Sequence, residues 1–181
     1  MIPIMPNPLI HALRALPHDI RQFDVGNLLF AQGDDVQVLY LIETGTVRLL
    51  RHLSDGFALT LHHAGPGAIL AEASVFSETY HCDAVASAPT SALCLAKPEL
   101  RAAMARNETL MLAWAGYLAH EVQATRFRAE ILAIRTVAQR LDVWLANNGG
   151  TMPDKGAWHT LATEIGVSAE ALYRELAKRR G

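Results

Sequence analysis

Between Phe23 and Leu95 the chain alternates short apolar runs with glycines, and this pattern limits the fold more than any other feature of the sequence. The apolar runs are Leu39–Ile42, Val47–Arg51, 59–63, 84–86 and 92–95. The glycines of this region are Gly26, Gly33, Gly45, Gly56, Gly65 and Gly67. Several short strands at close spacing, with turn residues between them, are typical of an antiparallel sandwich or barrel. We therefore predict an antiparallel β-domain that begins near residue 20.

Helical patterns flank this region on both sides. Residues 9–22 predict a short helix that carries Leu9 and Leu13 on one face and is interrupted by Pro17. Proline is well tolerated near a helix start, so we predict a second short helix over residues 98–106.

A long helix is predicted over residues 109–132, a segment that contains neither proline nor a cluster of turn residues. Its apolar stripe consists of Leu110, Trp114, Leu118, Val122, Thr125, Ala129 and Leu132. Steps of three and four residues place these side chains on one helix face. The stripe packs either on its own domain or on a second copy of the chain.

The segment 161–181 carries the most specific local signal. Ile165 belongs to the inner face of a short helix, and Gly166 is placed to adopt the positive φ of a turn. Ser168 can cap the next helix, which returns Leu172 to the core face. This is the pattern of a helix-turn-helix, whose second helix enters the major groove of DNA.

The second helix of this motif presents polar and basic residues on its outer face. The predicted DNA-contacting residues are Ser168, Ala169, Glu170, Tyr173, Arg174, Lys178 and Arg179. Arg174 can pair with guanine, and Glu170 can accept a hydrogen bond from cytosine. The basic residues 178–180 suit phosphates instead. The alternative is a surface Glu–Arg ion pair on an ordinary pair of helices.

Charge and composition agree with this division of the chain. Residues 1–125 carry seven Lys/Arg and twelve Asp/Glu, whereas residues 126–181 carry nine and six, so the basic charge lies at the C-terminal end. No apolar run approaches the roughly 20 residues that cross a bilayer. Cys82 and Cys94 are too few for a disulfide framework, and we expect a reducing cytoplasm.

Over nearly its full length the chain resembles the Crp–Fnr family of bacterial regulators. The resemblance is carried by Gly26–Asp34, Leu39–Val47, Gly65–Ala73 and the helix-turn-helix. It implies a β-roll of the cyclic-nucleotide-binding type, in which Gly65–Ala73 approaches the phosphate-binding cassette. It also implies a homodimer along the long helix, double-stranded DNA and RNA polymerase as partners, and a small-molecule effector coupled to DNA binding.

The cassette departs from the pattern of the nucleotide-binding members of that family. Those members carry Gly-Glu and, about ten residues later, Arg followed by Ser or Thr; here Ala71-Glu72 and Cys82-Asp83 stand at these positions. The neutralising arginine is missing, and a carboxylate beside an anionic phosphate has the wrong sign. We predict an effector pocket at Leu70, Ala71, Glu72, Cys82 and Asp83 that binds cyclic AMP weakly or not at all.

A second departure follows the recognition helix. Family members continue into a β-hairpin wing, whereas this sequence ends at Gly181, directly after a basic run. We expect the affinity for DNA to be lower because the wing is missing, or else that the sequence is a truncated form of a longer chain. The alternative function is a β-roll sensor or interaction module that no longer reads DNA sequence.

The sequence offers few features of a haem, iron–sulfur or catalytic protein. A haem-based gas sensor is an alternative, with His62, His63, His81, Cys82 and His120 as candidate ligands that no spacing singles out. The iron–sulfur variant of the family uses N-terminal cysteines, and the sequence before residue 82 contains none. The sequence also lacks a G-x-S-x-G elbow, a P-loop and an H-E-x-x-H motif. We therefore predict no catalytic residues, no metal site and no enzyme activity.

These inferences give an α+β chain in three parts. Residues 1–108 form an antiparallel β-roll of the jelly-roll type with an N-terminal helix, 109–133 a dimerisation helix and 134–181 a helix-turn-helix domain without a wing. The predicted dimer contact consists of Trp114, Leu118, Val122 and Thr125. The alternative for Trp114 is packing on its own β-roll.

Overall fold

The computed structural model describes residues 8–53 and 56–179. The chain divides into two compact units, and the boundary between them falls after Leu118. All the described strands belong to the first unit, and the second is helical. The long helix α3 (Glu108–Ala133) begins in the first unit and ends in the second, so the predicted dimerisation helix is shared between them.

Eight strands are described in the first unit, and they form two four-stranded antiparallel sheets. The strands are β1 (Asp19–Phe23), β2 (Leu28–Phe30), β3 (Val38–Thr44), β4 (Val47–His52), β5 (Ala58–Ala64), β6 (Ile69–Leu70), β7 (Asp83–Ala86) and β8 (Thr90–Ala96). One sheet has the order β1-β8-β3-β6 and the other the order β2-β7-β4-β5. This architecture confirms the predicted antiparallel jelly-roll.

The sheet that contains β3 is covered on both faces. Successive side chains of a strand point to opposite faces, so Tyr40 and Ile42 enter the core between the two sheets, while Leu39 and Leu41 enter a second core on the other face. This double burial explains the uninterrupted apolar run of β3. Strand β4 differs, because Arg48 follows the buried Val47 and is exposed.

Helices form the second core of this unit. They are α1 (Pro8–Arg14), α2 (Lys97–Arg106) and the first part of α3. The buried residues of this core are Leu9, Leu13, Leu39, Leu41, Ile69, Val75, Leu93, Leu95, Leu100, Met104, Leu110 and Trp114. Its aliphatic side chains fix α1 against the sheet and hold the start of α3.

The predicted helix over residues 9–22 is wrong in its second half. Helix α1 ends at Arg14, and β1 begins at Asp19. Strand β1 pairs with β8 from Asp19–Cys94 to Phe23–Thr90, which supplies backbone hydrogen-bond partners that the helix pattern did not reveal. The side chain of Ile20 is 64% exposed. It therefore does not face the core, as the predicted helix would require.

The second unit is built around α4 (Val137–Asn147), α5 (Trp158–Glu164) and α6 (Ala169–Lys178). Its buried residues are Ile131, Leu141, Leu161, Ala162, Ile165, Leu172 and Leu176. Helix α4 begins at a cap in which the Gln139 backbone N–H donates to Thr136 Oγ1 over 3.3 Å. Within the described ranges, none of the helices combines the length and the apolar character needed to cross a bilayer.

Candidate functional site

The turn between α5 and α6 has the geometry that the sequence predicts. Gly166 adopts a φ of +66°, and the backbone N–H of Val167 donates to the Ala162 carbonyl over 2.9 Å. A left-handed residue directly after a helix is a common helix end, and glycine adopts it without steric cost. Packing adds a second reason, since a Cβ on Gly166 would lie 2.1 Å from Leu132 Cδ2.

Helix α6 starts at a side-chain cap. Its Ala171 backbone N–H donates to Ser168 Oγ over 3.2 Å, as the sequence predicts for an N-cap serine. Leu172 and Leu176 are buried in the core of the second unit together with Ile165. The capped start and the two buried leucines fix which face of α6 points to solvent.

The outer face of α6 brings four of the predicted contact residues to the surface. Glu170, Tyr173, Arg174 and Lys178 are exposed, whereas Ala169 is partly buried. Tyr173 packs its ring 5.7 Å from that of Trp158 but stays 47% exposed.

The carboxylate of Glu170 is stabilised by its position at the start of α6. Hydrogen bonds from its own backbone N–H and from the Ser168 hydroxyl lower its pKa, and the nearby charges of Arg174 and His159 act in the same direction. At neutral pH Glu170 therefore presents an ionised acceptor beside the cation of Arg174.

Arg179 occupies a different environment from the one predicted. Its Nη1 lies 2.6 Å from Asp142 Oδ1, its Nε 2.8 Å from Glu175 Oε1, and its Nη2 donates to the Ala138 carbonyl over 2.9 Å. All three guanidinium nitrogens thus bind within the second unit and hold the end of α6 to α4. Arg179 therefore links α6 to α4 inside this unit, and its predicted phosphate contact stays a prediction. Arg180 lies outside the described residues.

In the first unit, the predicted pocket residues do come together. Leu70, Ala71 and Cys82 belong to one buried cluster between the two sheets. Ala71 has a φ of +66°, the only positive φ of a non-glycine residue in the described ranges, and it precedes a short 3₁₀ turn (Glu72–Ser74). The left-handed conformation costs an L-residue about 1–2 kcal/mol, so the packing around Ala71 stabilises a strained backbone.

Cys82 places a neutral group where the resemblance expects an arginine. The thiol is 1% exposed, and burial raises its pKa to about 11. The charge of Arg51 lowers this pKa, and the charges of Glu72 and Asp83 raise it. Because the thiol stays protonated at neutral pH, Cys82 offers an anion no positive charge.

Arg51 is a cation near the cassette that sequence reasoning missed. It lies on β4, and its Nη2 donates to the His81 carbonyl over 3.3 Å. His81 Nδ1 lies 3.2 Å from Ser74 Oγ, and burial together with the charge of Arg51 lowers its pKa. The only sequence signal for Arg51 was a basic residue at the end of an apolar run.

Asp83 is engaged on both carboxylate oxygens. The backbone N–H of Gln32 donates to Oδ1 over 2.7 Å, and His52 Nε2 lies 3.1 Å from Oδ2. These contacts tie the start of β7 to the loop after β2 and to the end of β4. The Asp83 carboxylate is therefore a structural link between these strands.

Comparisons with known proteins agree with this architecture. The sequence profile of the cyclic nucleotide-binding domain matches residues 20–107. The cyclic AMP receptor protein of Thermus thermophilus is 29% identical, over 94% of this chain and 84% of that protein. The chain is a homologue of the Crp–Fnr transcription regulators.

Solved structures show the same fold. FixK2 from Bradyrhizobium japonicum superposes with a TM-score of 0.70 at 18% identity, over 90% of this chain and 84% of that one. The catabolite activator protein of Thermus thermophilus gives a TM-score of 0.56 at 25% identity, over 98% of this chain and 84% of that one. This chain therefore has the fold of a Crp–Fnr regulator with a cyclic nucleotide-binding domain.

In this Crp–Fnr homologue, the residues of the predicted dimer contact separate into two environments. Trp114 is 1% exposed in the core of the first unit, and Leu118 packs partly buried against that core. Trp114 thus occupies the position given as its alternative, on its own β-roll. Val122 and Thr125 are exposed, and Val122 is 48% accessible.

The candidate haem ligands form no recognisable centre. Within residues 8–53 and 56–179, no group of three or more His, Cys, Asp or Glu side chains is arranged to hold a metal ion. His62 and His63 lie on β5, and His81 is bound to Ser74 near the cassette. Their arrangement adds no support to haem binding.

Proposed function

We propose that this chain is a homodimeric, effector-coupled transcription regulator of the cytoplasm, that it is not an enzyme, and that α6 reads DNA in the major groove. The observation that carries the proposal is the outer face of α6. Its capped start and buried leucines turn Glu170 and Arg174 toward solvent one helical turn apart.

The chemistry of this face suits base recognition. The guanidinium of Arg174 can donate two hydrogen bonds to guanine, and the ionised Glu170 can accept one from cytosine. Lys178 lies one turn further along α6 and suits a phosphate. A symmetric dimer would read two half-sites about one helical turn of DNA apart.

Selection from a random duplex pool at two salt concentrations tests this proposal. We expect an enriched palindrome for the parent protein. Arg174→Ala should weaken binding to that palindrome by about 1–3 kcal/mol, while Arg106→Ala, which removes an exposed arginine of the first unit, should leave it unchanged. Salt-sensitive binding without a motif would contradict base reading and leave only phosphate contacts.

The proposed effector is not cyclic AMP. A buried neutral thiol stands at Cys82, and Asp83 places a carboxylate on the next residue. Removing a phosphate from water is unfavourable unless a cation pairs with it, and the nearby Arg51 is bound to the His81 carbonyl. Calorimetry should therefore show weak or undetectable binding of cyclic AMP, and tight binding would overturn this part of the proposal.

The proposed dimer forms along the exposed side of α3. Leu112, Ala115, Ala119 and Val122 are all exposed and follow one another at intervals of three or four residues. Val122→Asp should convert the dimer to a monomer in light scattering, because a buried unpaired charge is costly. Gln123→Asp, at the next exposed position, is the matched control. An unchanged mass for Val122→Asp would exclude this seam.

Contact with RNA polymerase stays a prediction.

A further inference from the structure

Arg140 makes the densest set of side-chain hydrogen bonds that the structure describes in the second unit. Its Nε donates to the Ile134 carbonyl over 2.8 Å and its Nη2 to the Leu132 carbonyl over 3.0 Å. Its Nη1 donates to the carbonyls of Ile165 and Gly166 over 3.0 and 2.9 Å. One guanidinium therefore binds four backbone carbonyls.

The four carbonyls come from two helix ends. Leu132 and Ile134 lie at and just beyond the end of α3, while Ile165 and Gly166 lie in the turn that separates α5 from α6. Carbonyls at a helix C-terminus have no partner within the helix and carry a partial negative charge. A planar, positively charged fork can satisfy both ends at once, which a single ammonium group cannot do.

Packing independently joins the same two elements. A Cβ on Gly166 would lie 2.1 Å from Leu132 Cδ2 and 3.2 Å from Arg140 Nη1. The turn of the helix-turn-helix therefore lies directly against the last turn of α3. The neighbouring Leu141 is fully buried and fixes the face of α4 from which Arg140 extends.

We infer that Arg140 is a positioning residue for DNA recognition, which holds the helix-turn-helix turn on the end of α3 so that α6 keeps one orientation relative to that helix end. This inference rests on the proposed DNA-binding function. Sequence-specific DNA binding then requires the planar guanidinium of Arg140, and not only its positive charge. Loss of the fork should weaken binding to the preferred site more than binding to unrelated DNA.

The first test compares Arg140→Lys and Arg140→Met in the full chain. Lysine keeps the charge but has one nitrogen, and methionine removes both the charge and the donors. Both variants should bind the selected palindrome at least tenfold more weakly, with a smaller change on a scrambled duplex. Arg135→Met, which removes an exposed arginine of the same unit, is the control for charge and should bind like the parent. Parent-like binding by Arg140→Lys would overturn the inference.

The second test measures amide hydrogen exchange and needs no DNA. The amides of Gly166 and Val167 donate within the turn, to the carbonyls of Thr163 and Ala162. They should exchange faster in both Arg140 variants, while the amides of β8 and the core amides of α4 stay as protected as in the parent. Unchanged exchange at the turn would refute the positioning role, even if DNA binding fell.

The two tests separate this inference from the function on which it rests. If selection yields no motif but the turn loosens in the Arg140 variants, base reading is wrong and the link between the helix ends is supported. If a motif appears and Arg140→Lys binds it like the parent, the function stands and the inference fails.

Discussion

Two turns of this molecule share one backbone conformation but differ in the residue that adopts it. Gly166, in the helix-turn-helix, and Ala71, at the cassette, both have a φ of +66°. Glycine takes this conformation freely, whereas alanine pays about 1–2 kcal/mol for it. In the second unit the local sequence and the backbone agree. In the first, the surrounding core imposes a backbone that the local residue disfavours.

The same contrast holds for the polar groups beside each turn. Next to Gly166, Arg140 satisfies four carbonyls. Next to Ala71, the cassette buries the neutral thiol of Cys82, and Arg51 contributes a single bond of 3.3 Å to a carbonyl. At the helix-turn-helix the residue type and its contacts agree with the turn, whereas at the cassette a neutral thiol stands at the predicted arginine position and the nearby Arg51 is bound to a carbonyl.

The largest expected effect is a loss of stability of the first unit, but not of the second, at alkaline pH. Burial raises the pKa of Cys82 and of Cys94 to about 11 from 9.0, and it also raises the pKa of Tyr40. All three lie in the core between the sheets of the first unit. Folding favours their neutral forms, so the contribution of the two thiols is complete below pH 9 and is lost as the pH rises toward 11, whereas that of Tyr40 is complete up to about pH 10 and is lost only above it.

Denaturant unfolding between pH 7.5 and 10.5 measures this loss. The first unit should lose stability above pH 9, and a Cys82→Ala, Cys94→Ala double variant should lose less. Thiolate absorbance at 240 nm gives an independent reading, since the native protein should show little thiolate at pH 9. A native thiolate signal that rises below pH 9 would contradict the burial argument.

The next largest effect is expected at the turn of the second unit. Gly166→Ala should destabilise that unit by about 1–2 kcal/mol, because alanine is strained at positive φ, and Leu132 must also move. Gly156→Ala is the matched control, since Gly156 has an ordinary φ and open space around it. Equal melting temperatures for the two variants would show that the turn tolerates a side chain.

The sequence was informative wherever one local rule decided the structure. Positive φ at Gly166 and the cap at Ser168 follow from residues within one turn. The antiparallel β-domain followed from the spacing of glycines and apolar runs, and the family resemblance implied that it is a β-roll. The resemblance to a known family, rather than any local pattern, predicted that Ala71 and Cys82 lie together, and both belong to one buried cluster.

Long-range partners could not be predicted in the same way. Strand β1 exists because it pairs with β8, which is distant in sequence. Periodicity placed Trp114 and Val122 on one stripe but could not show that the first is buried in its own unit and the second exposed. The roles of Arg140 and Arg179 depend on carbonyls and carboxylates far along the chain.

At the cassette we expect a smaller change in the free energy of unfolding, and this change is stabilising. Ala71→Gly should stabilise the first unit by up to about 1 kcal/mol, since relief of the left-handed strain exceeds the added chain entropy of glycine. Ala73→Gly, two residues later and without positive φ, should destabilise by a few tenths to 1 kcal/mol. Denaturant unfolding of both variants measures the difference, and a destabilised Ala71→Gly would show that Ala71 is not strained.

The smallest effect concerns the indole N–H groups of the tryptophans, whose hydrogen bonding also differs between the units. In the second unit Trp144 Nε1 donates to Glu164 Oε2 over 2.7 Å and Trp158 Nε1 to the Pro153 carbonyl over 3.0 Å. In the first, Trp114 Nε1 is buried and has no hydrogen-bond partner among the described residues. Burying a donor without a partner is unfavourable. Replacing the indole of Trp114 by a phenyl ring would therefore lose no hydrogen bond.

Trp114→Phe should therefore change the free energy of unfolding by less than about 1 kcal/mol, because the lost contact area and the removed unpaired donor oppose each other. Trp114→Ala should cost about 3–5 kcal/mol, since it opens a cavity in the core that holds the start of α3. Trp158→Phe gives up a made hydrogen bond and should cost about 1 kcal/mol in the second unit. Circular dichroism during denaturant unfolding compares the three variants. If Trp114→Phe costs as much as Trp114→Ala, the indole N–H has an acceptor, and the tryptophans of the two units are satisfied alike.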